Sequence, residues 1–242
     1  MIKNYVIIGC GGIGFRLAEP LLRMLLPVPG AQLFLVDGKD VRHKNLSRQH
    51  GSASVGLNKA VAVARSLEAL VPDSGVKIVP VEHYLEEEFI NQHDRWLKLD
   101  EMVVFAGVDN KPSRVFIEDA IQQHVSGECV LISGGNDEDS GQAVLTRFKR
   151  RKPLDPLPSE IDPDLLIYDD GRMPSKIPCD EATESEPQLP IANMGAAWCM
   201  LSLWYSQIVL TPEREDRRFT HARFDATTPE VFPSTRTAMS HA

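Results

Sequence analysis

The sequence predicts an α/β fold: a mostly parallel sheet covered by helices on both faces, with an antiparallel C-terminal extension and a long crossover loop. Three observations predict it. Short apolar, β-branched runs alternate with longer segments of helical apolar spacing through the first 133 residues, as βαβ units require. The strand runs are apolar throughout, as strands buried on both faces are. After Gly135 the period changes to strict alternation, the mark of an antiparallel strand with two unlike faces.

The elements follow in order. Tyr5 to Gly9 is a buried strand ending in glycine, and a helix starts near Gly12 and runs to about Leu26. Pro20 inside it predicts a kink or an early break, because proline removes a backbone donor. Ala31 to Asp37 is the second strand. Gly56 to Leu70 has helical spacing and is stopped by Pro72. Val76 to Val81 and Met102 to Ala106 are the third and fourth strands. Pro112, expected at the first helical position, opens a helix through about His124. Cys129 to Ser133 is a fifth strand, and Gly141 to Phe148 is the alternating one. Residues 152–190 carry eight of the seventeen prolines and ten Asp or Glu against three Lys or Arg. Such composition predicts a crossover loop or insertion with little regular structure. Asn193 to Leu210 is apolar nearly all round, as a buried or interface helix is. Phe219 to Ala226 is a late strand, and the final residues are expected to fray. The division expected is a nucleotide-binding core over 1–150, the crossover loop over 151–190, and a helix and strand over 191–242 that complete the same domain.

Composition narrows the function classes. The chain has 242 residues, 43% hydrophobic and 25% charged, with a formal net charge of −8. An acidic chain with no basic stripe argues against nucleic acid. No apolar run is long enough for a transmembrane helix. The N-terminal apolar run leads straight into a glycine turn, so it reads as a strand and not as a signal peptide. Cys10, Cys129, Cys179 and Cys199 are widely spaced with no CxxC pair. That pattern fits a reducing, cytoplasmic setting, and no zinc is expected. The basic run Phe148 to Lys152 is either a solvated turn or a contact for an acidic protein face.

The chemistry is concentrated near the N-terminus. Gly9, Gly11 and Gly14 form G-x-G-x-x-G between a strand and a helix. The first glycine permits the tight turn, the second lets phosphate approach the backbone, and the third lets helix and strand pack closely. The helix N-terminus offers free N–H groups to anions. Asp37 ends the second strand 23 residues after Gly14, where an acid takes ribose hydroxyls. These features predict a Rossmann-like nucleotide site. Asn45, Arg48 and Gln49 follow within a polar segment, bringing a planar, permanently charged donor and two amides suited to phosphate oxygens. Lys59 opens the next helix, where it can reach β- and γ-phosphates. A dehydrogenase needs no such cluster. Asp109 and Asn110 follow the fourth strand at its carboxyl end, where open α/β sheets bind ligands. Asp109 is placed to hold Mg²⁺ and also to cap the helix after it.

Together GCGGIG, LVDGKDVRHKNLSRQ, VGLNKAVAVARSLEALVP and VFAGVDN resemble the ThiF/MoeB-like superfamily, the adenylation domains related to ubiquitin-activating enzymes. The likeness runs from Tyr5 to about Phe148 and is traceable later in IANMGAAW and FTHARFDATTPEVFP. The resemblance implies ATP-dependent, Mg²⁺-assisted adenylation of the C-terminal glycine carboxylate of a ubiquitin-like or sulfur-carrier-like protein. By position it implies ribose binding by Asp37, phosphate contacts by Asn45, Arg48, Gln49 and Lys59, and Mg²⁺ at Asp109. It implies a homodimer or heterodimer. It points to Cys179, in K-I-P-C-D-E of the crossover loop, as a thioester nucleophile, although Asp180, Glu181 and Glu184 beside it oppose thiolate formation. Two features of the family have no counterpart here: an N-terminal helix carrying an arginine into the partner's ATP site, a role that neither Arg16 nor Arg23 aligns with, and paired CxxC zinc motifs. Two other classes remain open on the sequence: an NAD-dependent oxidoreductase, and a non-catalytic scaffold subunit of an activating-enzyme complex.

Overall fold

The computed structural model describes residues 2–46, 54–87, 90, 101–167, 172–176, 189–210, 219–228 and 230–235. Strand β1 (Asn4–Ile8) leads through the glycine turn into α1 (Gly12–Leu25) and β2 (Gln32–Val36). Then come α2 (Lys59–Leu70), β3 (Lys77–Val81), β4 (Glu101–Ala106), α3 (Lys111–His124), β5 (Glu128–Asn136) and β6 (Ser140–Lys149). Two-residue β7 (Lys152–Pro153) and short α4 (Pro158–Ile161) follow. Helix α5 (Pro190–Trp204) runs on into a π-turn over Tyr205–Val209, and β8 (Phe219–Asp225) and β9 (Glu230–Thr235) close the sheet.

All the strands lie in one sheet of order β3-β2-β1-β4-β5-β6-β8-β9, with β7 paired to β6. The five strands β1 to β5 pair in parallel, and every pairing from β5·β6 onward is antiparallel. Alternate residues of the same strands feed two cores. Tyr5, Ile7, Leu33, Leu35, Phe105 and Ile132 pack with α1, α2 and α5, while Val6, Ile8, Val104 and Leu131 pack with α3. Trp204 of α5 meets the edges of Tyr5 and Phe105, with ring centroids 5.8 and 6.1 Å apart.

Three local expectations are corrected. Pro20 does not end α1, which continues through it and spans 14 residues. Pro20 is exposed, and the carbonyl it deprives of a partner, that of Arg16, lies on the same outward face one turn back, within reach of water. Pro112 stands second in α3, not first, and the cap is Asn110 rather than Asp109. The fifth strand does not stop at Ser133. Gly134 and Gly135 continue it because helices crowd both faces there: a Cβ on Gly134 would stand 2.9 Å from Met200 Cγ, and one on Gly135 2.6 Å from Arg114 Cζ. These glycines serve close approach, not a turn.

The start of the crossover loop is tied to the sheet. Asp155, fully buried, accepts from the Arg147 backbone N–H at 3.0 Å and from its Nε and Nη2 at 2.7 Å each. Glu118 on α3 accepts from the Ser159 N–H and hydroxyl, at 3.1 and 2.6 Å. Further along, Lys111 Nζ donates to the Ile167 carbonyl at 3.1 Å, and Ser175 donates from its N–H and hydroxyl to Glu86.

Candidate functional site

A cleft enclosing about 990 Å³, part of it open solvent, lies beyond the carboxyl ends of β1, β2 and β4. Parallel topology puts it there. The turn after β1, the end of β2 and the end of β4 all emerge on one side of the sheet, where open α/β sheets hold ligands. Gly9, Gly11, Asp37, Lys59 and Asp109 all line it.

The glycine turn is built by close approach. Gly9 has φ of +89°, and a Cβ there would stand 3.0 Å from both the Gly107 carbonyl carbon and Val108 Cγ1. Gly14 does not line the cleft; it lets α1 press onto the turn, since its Cβ would fall on the Gly9 carbonyl. Gly11 stands at the N-cap of α1 with no side-chain cap, so the first N–H groups of α1 face the cleft unpaired by any side chain. That is a ready anion site.

Asp37 is held by both oxygens. The Cys10 N–H donates to Oδ2 and the Lys39 N–H to Oδ1, each at 2.8 Å. Burial nonetheless pushes its carboxyl up from the ordinary range, with Lys59 the strongest influence pulling it back down. Lys59 is only 8% exposed. Its placement comes from Asn58, which caps α2 by accepting from the Ala60 N–H (2.8 Å) and donates to the Asp37 carbonyl (2.9 Å). The Lys59 N–H donates to the Lys39 carbonyl at 2.9 Å. One stitch therefore joins Asp37 to the start of α2. Asp109 is half exposed, and Lys39 Nζ lies 4.0 Å from its Oδ1.

Two predicted residues are used locally. Asn45 ends a 3₁₀ turn over His43–Asn45, is buried, and accepts from the Arg42 N–H at 2.9 Å. Asn110 accepts from the Ser113 N–H and hydroxyl at 2.9 and 3.1 Å, so its oxygen serves the cap. Arg48, Gln49 and Cys179 lie outside the described residues.

Sequence reasoning missed a second wall. Lys39, Tyr84, Ser113, Arg114, Asn136 and Asn193 also line the cleft. Arg114 lies flat over Gly135, its Nε donating to the Val108 carbonyl at 3.0 Å and its Nη2 to the Gly134 carbonyl at 2.7 Å. Among the described residues no carboxylate reaches ion-pairing distance of it, and burial weakens its hold on its proton despite Asp162 and Asp109 further off. Asn193 of α5 is fully buried against Gly12. A faint signal for Arg114 existed in its spacing, one helical turn past the Asn110 cap; Asn193 had none in its own neighbourhood of the sequence.

Cleft, glycine turn and an acid at the end of β2 are the features of a Rossmann-like α/β fold whose sheet continues into an antiparallel extension. The chain belongs to the ThiF family, whose sequence profile matches residues 3–155. It is 29% identical over 188 residues to the mouse adenylyltransferase and sulfurtransferase MOCS3, covering 74% of this chain and 38% of that protein. It is 33% identical over 81 residues to the ATP-dependent ubiquitin transferase-like protein Cap2 of Pseudomonas aeruginosa (strain BWHPSA011 / Pa011), covering 33% of this chain and 15% of that one. The chain thus spans well under half the length of these curated relatives. Among solved structures, E. coli MccB with AMPCPP and SeMet MccA superposes with TM-score 0.64 at 16% identity, covering 97% of this chain and 64% of that one. SeMet PaaA superposes with TM-score 0.63 at 16% identity, covering 98% and 65%. These last two establish the likeness of fold. Among the described residues no helix is long and apolar enough to cross a membrane.

Proposed function

We propose that this chain catalyses ATP-dependent adenylation of a C-terminal carboxylate, that of a ubiquitin-like or sulfur-carrier-like protein ending in glycine. The observation that carries the reading is the gathering of Asp37, Lys59 and Asp109 around the glycine turn in one cleft. The names of the mouse and Pseudomonas relatives point the same way.

In this reading Asp37 takes the ribose hydroxyls and the N-terminus of α1 faces the phosphates. Lys59 contacts the β- and γ-phosphates, with Asn45, Arg48 and Gln49 as further phosphate residues. Asp109 suits Mg²⁺: it is a hard oxygen donor, half exposed on the cleft wall, whose neighbour Lys39 makes only a long, displaceable contact. Bound there, Mg²⁺ supplies charge neutralisation of the phosphates. The substrate carboxylate oxygen attacks the α-phosphorus in line, forming a new O–P bond. The bond from that phosphorus to the bridging oxygen breaks, and pyrophosphate leaves with the electron pair. The protein contributes position and fixed positive charge. The acyl-adenylate gains a good leaving group, AMP.

A following thioester step needs a thiolate to attack the acyl carbon and expel AMP. Cys10, Cys129 and Cys199 are buried, and burial pushes all three thiols up, that of Cys199 to about 12. Buried neutral thiols are poor nucleophiles, so the reading assigns this step to Cys179. The uncharged outer face of α5 and the π-turn after it, with Ile191, Met194, Trp198 and Tyr205 exposed, is read as a dimer contact, and the unpaired cysteines as those of a cytoplasmic protein.

The test is ATP–pyrophosphate exchange dependent on a glycine-tailed carrier protein. Asp109→Ala should abolish exchange; full activity in that variant would remove the metal role. Cys179→Ala should lose the thiol-sensitive adduct with the carrier. NAD binding without ATP binding would replace the whole reading with an oxidoreductase.

A further inference from the structure

We infer that the β5 side of the cleft reads the last peptide unit of the acyl substrate: Asn193 Oδ1 accepts its N–H while the Arg114 guanidinium faces its carboxylate. The inference rests on the adenylation reading and adds a requirement to it.

Sheet order separates two halves of the cleft. Asp37 ends β2, on one side of β1; β4 and β5 lie on the other side. Asn193 sits on α5, which packs on β5, β6 and α1, and Arg114 sits over Gly135 of β5. With ribose on the β2 side and phosphates at the glycine turn, the β5 side is left for the carboxylate.

Asn193 is fully buried, and its Oδ1 has no hydrogen-bond partner among the described residues. The amide orientation is fixed, because Nδ2 donates to the Leu189 carbonyl at 3.3 Å and a flip would set two oxygens face to face. Asn193 lines the cleft, and its orphan acceptor lies beside Gly12 at the start of α1. A buried acceptor demands a donor. Phosphates at neutral pH offer none, and the ribose hydroxyls and adenine amine belong to the Asp37 side. The acyl substrate has to bring the donor. In a peptide C-terminus the nearest one is the N–H of the final residue, one carbon from the carboxylate carbon.

Arg114 supplies the complementary group. Two carbonyls hold its Nε and Nη2, leaving three of the five guanidinium N–H donors for an anion. A fixed cation and a fixed acceptor lining the same cleft match a carboxylate and its own N–H. The pair selects acids carried on a secondary amide and rejects simple carboxylic acids and ester-linked ones.

The experiment uses two fluorescein-labelled synthetic hexapeptides ending in Gly-Gly, one with the final glycine replaced by glycolate, so that the last amide becomes an ester and loses only its N–H. Binding is read by anisotropy with AMPCPP and Mg²⁺ present, and turnover by pyrophosphate exchange. Wild type should favour the amide tail roughly 10- to 100-fold. Asn193→Ala should bind both tails equally, at the level of the ester. A merely structural role for Asn193 would weaken both tails and keep their ratio. Equal binding of the two tails by wild type overturns the inference whether or not the variant folds, and so does failure of both tails to bind while AMPCPP binds. Exchange supported by both tails alike refutes it and leaves adenylation standing. Failure of ATP itself to bind refutes the adenylation reading.

Discussion

Replacing Gly12 by alanine sets two effects against each other, and the structure decides between them. Gly12 is the first residue of α1, and its φ lies outside the left-handed region. Helix propensity alone favours alanine by up to about 1 kcal/mol, less at a terminus than mid-helix. Against this, a Cβ would stand 2.6 Å from Asn193 Cγ and closer to its Oδ1. Carbons pack at about 3.5–4.0 Å, so something must move by roughly 1 Å. Asn193 has little room to yield: it is fully buried and tied to Leu189. Overpacking of this kind costs about 1–3 kcal/mol, so the clash wins and the net loss is about 1–2 kcal/mol. For a chain of this size that lowers Tm by roughly 2–8 °C. The assay is thermal unfolding of Gly12→Ala, Asn193→Ala and the double variant. Removing Asn193 relieves the clash, so the double variant should be more stable than the two single losses added together, by at least about 1 kcal/mol. A rise in Tm for Gly12→Ala alone, or additivity within about 0.5 kcal/mol, would refute the contact.

Three further outcomes are expected. Asp155→Ala strands the Arg147 guanidinium, which is a quarter exposed; a buried partner's loss of about 3–5 kcal/mol is discounted to about 3 kcal/mol, a fall in Tm of roughly 6–12 °C. Pairing Asp155→Leu with Arg147→Met should recover most of it, and a drop under 2 °C in the single variant counts against the anchor. ATP affinity should show an acid limb above the ordinary carboxylate value of about 3.9, because burial raises the Asp37 carboxyl and in the proposed role its charged form binds ribose. Lys59→Met removes the charge that favours the carboxylate, so titration of ATP binding between pH 4 and 8 should find the limb moved upward; a downward shift contradicts the assignment. Trp198→Glu places a charge in the exposed apolar face of α5; on the proposed dimer contact, light scattering after gel filtration should show a dimer for wild type and a monomer for the variant, since such anchors contribute about 2–4 kcal/mol.

Most of the fold was legible because parallel strands buried on both faces are apolar throughout, and the helices between them keep a 3.6-residue period. Two of the misreadings share one cause: glycine and proline were taken as punctuation. Gly134 and Gly135 continue β5 because Met200 and Arg114 lie against them, 66 and 21 residues away in sequence. Pro20 stays within α1 because its face is outward. The single late strand is a hairpin, β8 and β9, whose turn is helped by Asp225 accepting from the Thr227 N–H at 2.8 Å.

The site divides along the same line. That Gly9, Asp37 and Lys59 would meet in one cleft was legible because they are local: they fall within 51 positions, at spacings set by one βαβ unit. Its other half is assembled by topology. Asn193 reaches Gly12 across 181 residues, brought there by α5 packing on α1 and β5, and no spacing rule encodes that meeting. The sequence nevertheless contains a trace of it. GCGGIG carries one glycine more than the turn requires, since Gly9, Gly11 and Gly14 already supply the turn, the phosphate approach and the helix packing. Gly12 is the surplus one, and it is what Asn193 leans on. A redundant glycine in a phosphate turn is therefore informative: it points to a side chain from a distant element pressed against the start of the helix, and here that side chain holds the one buried side-chain acceptor that has no partner among the described residues.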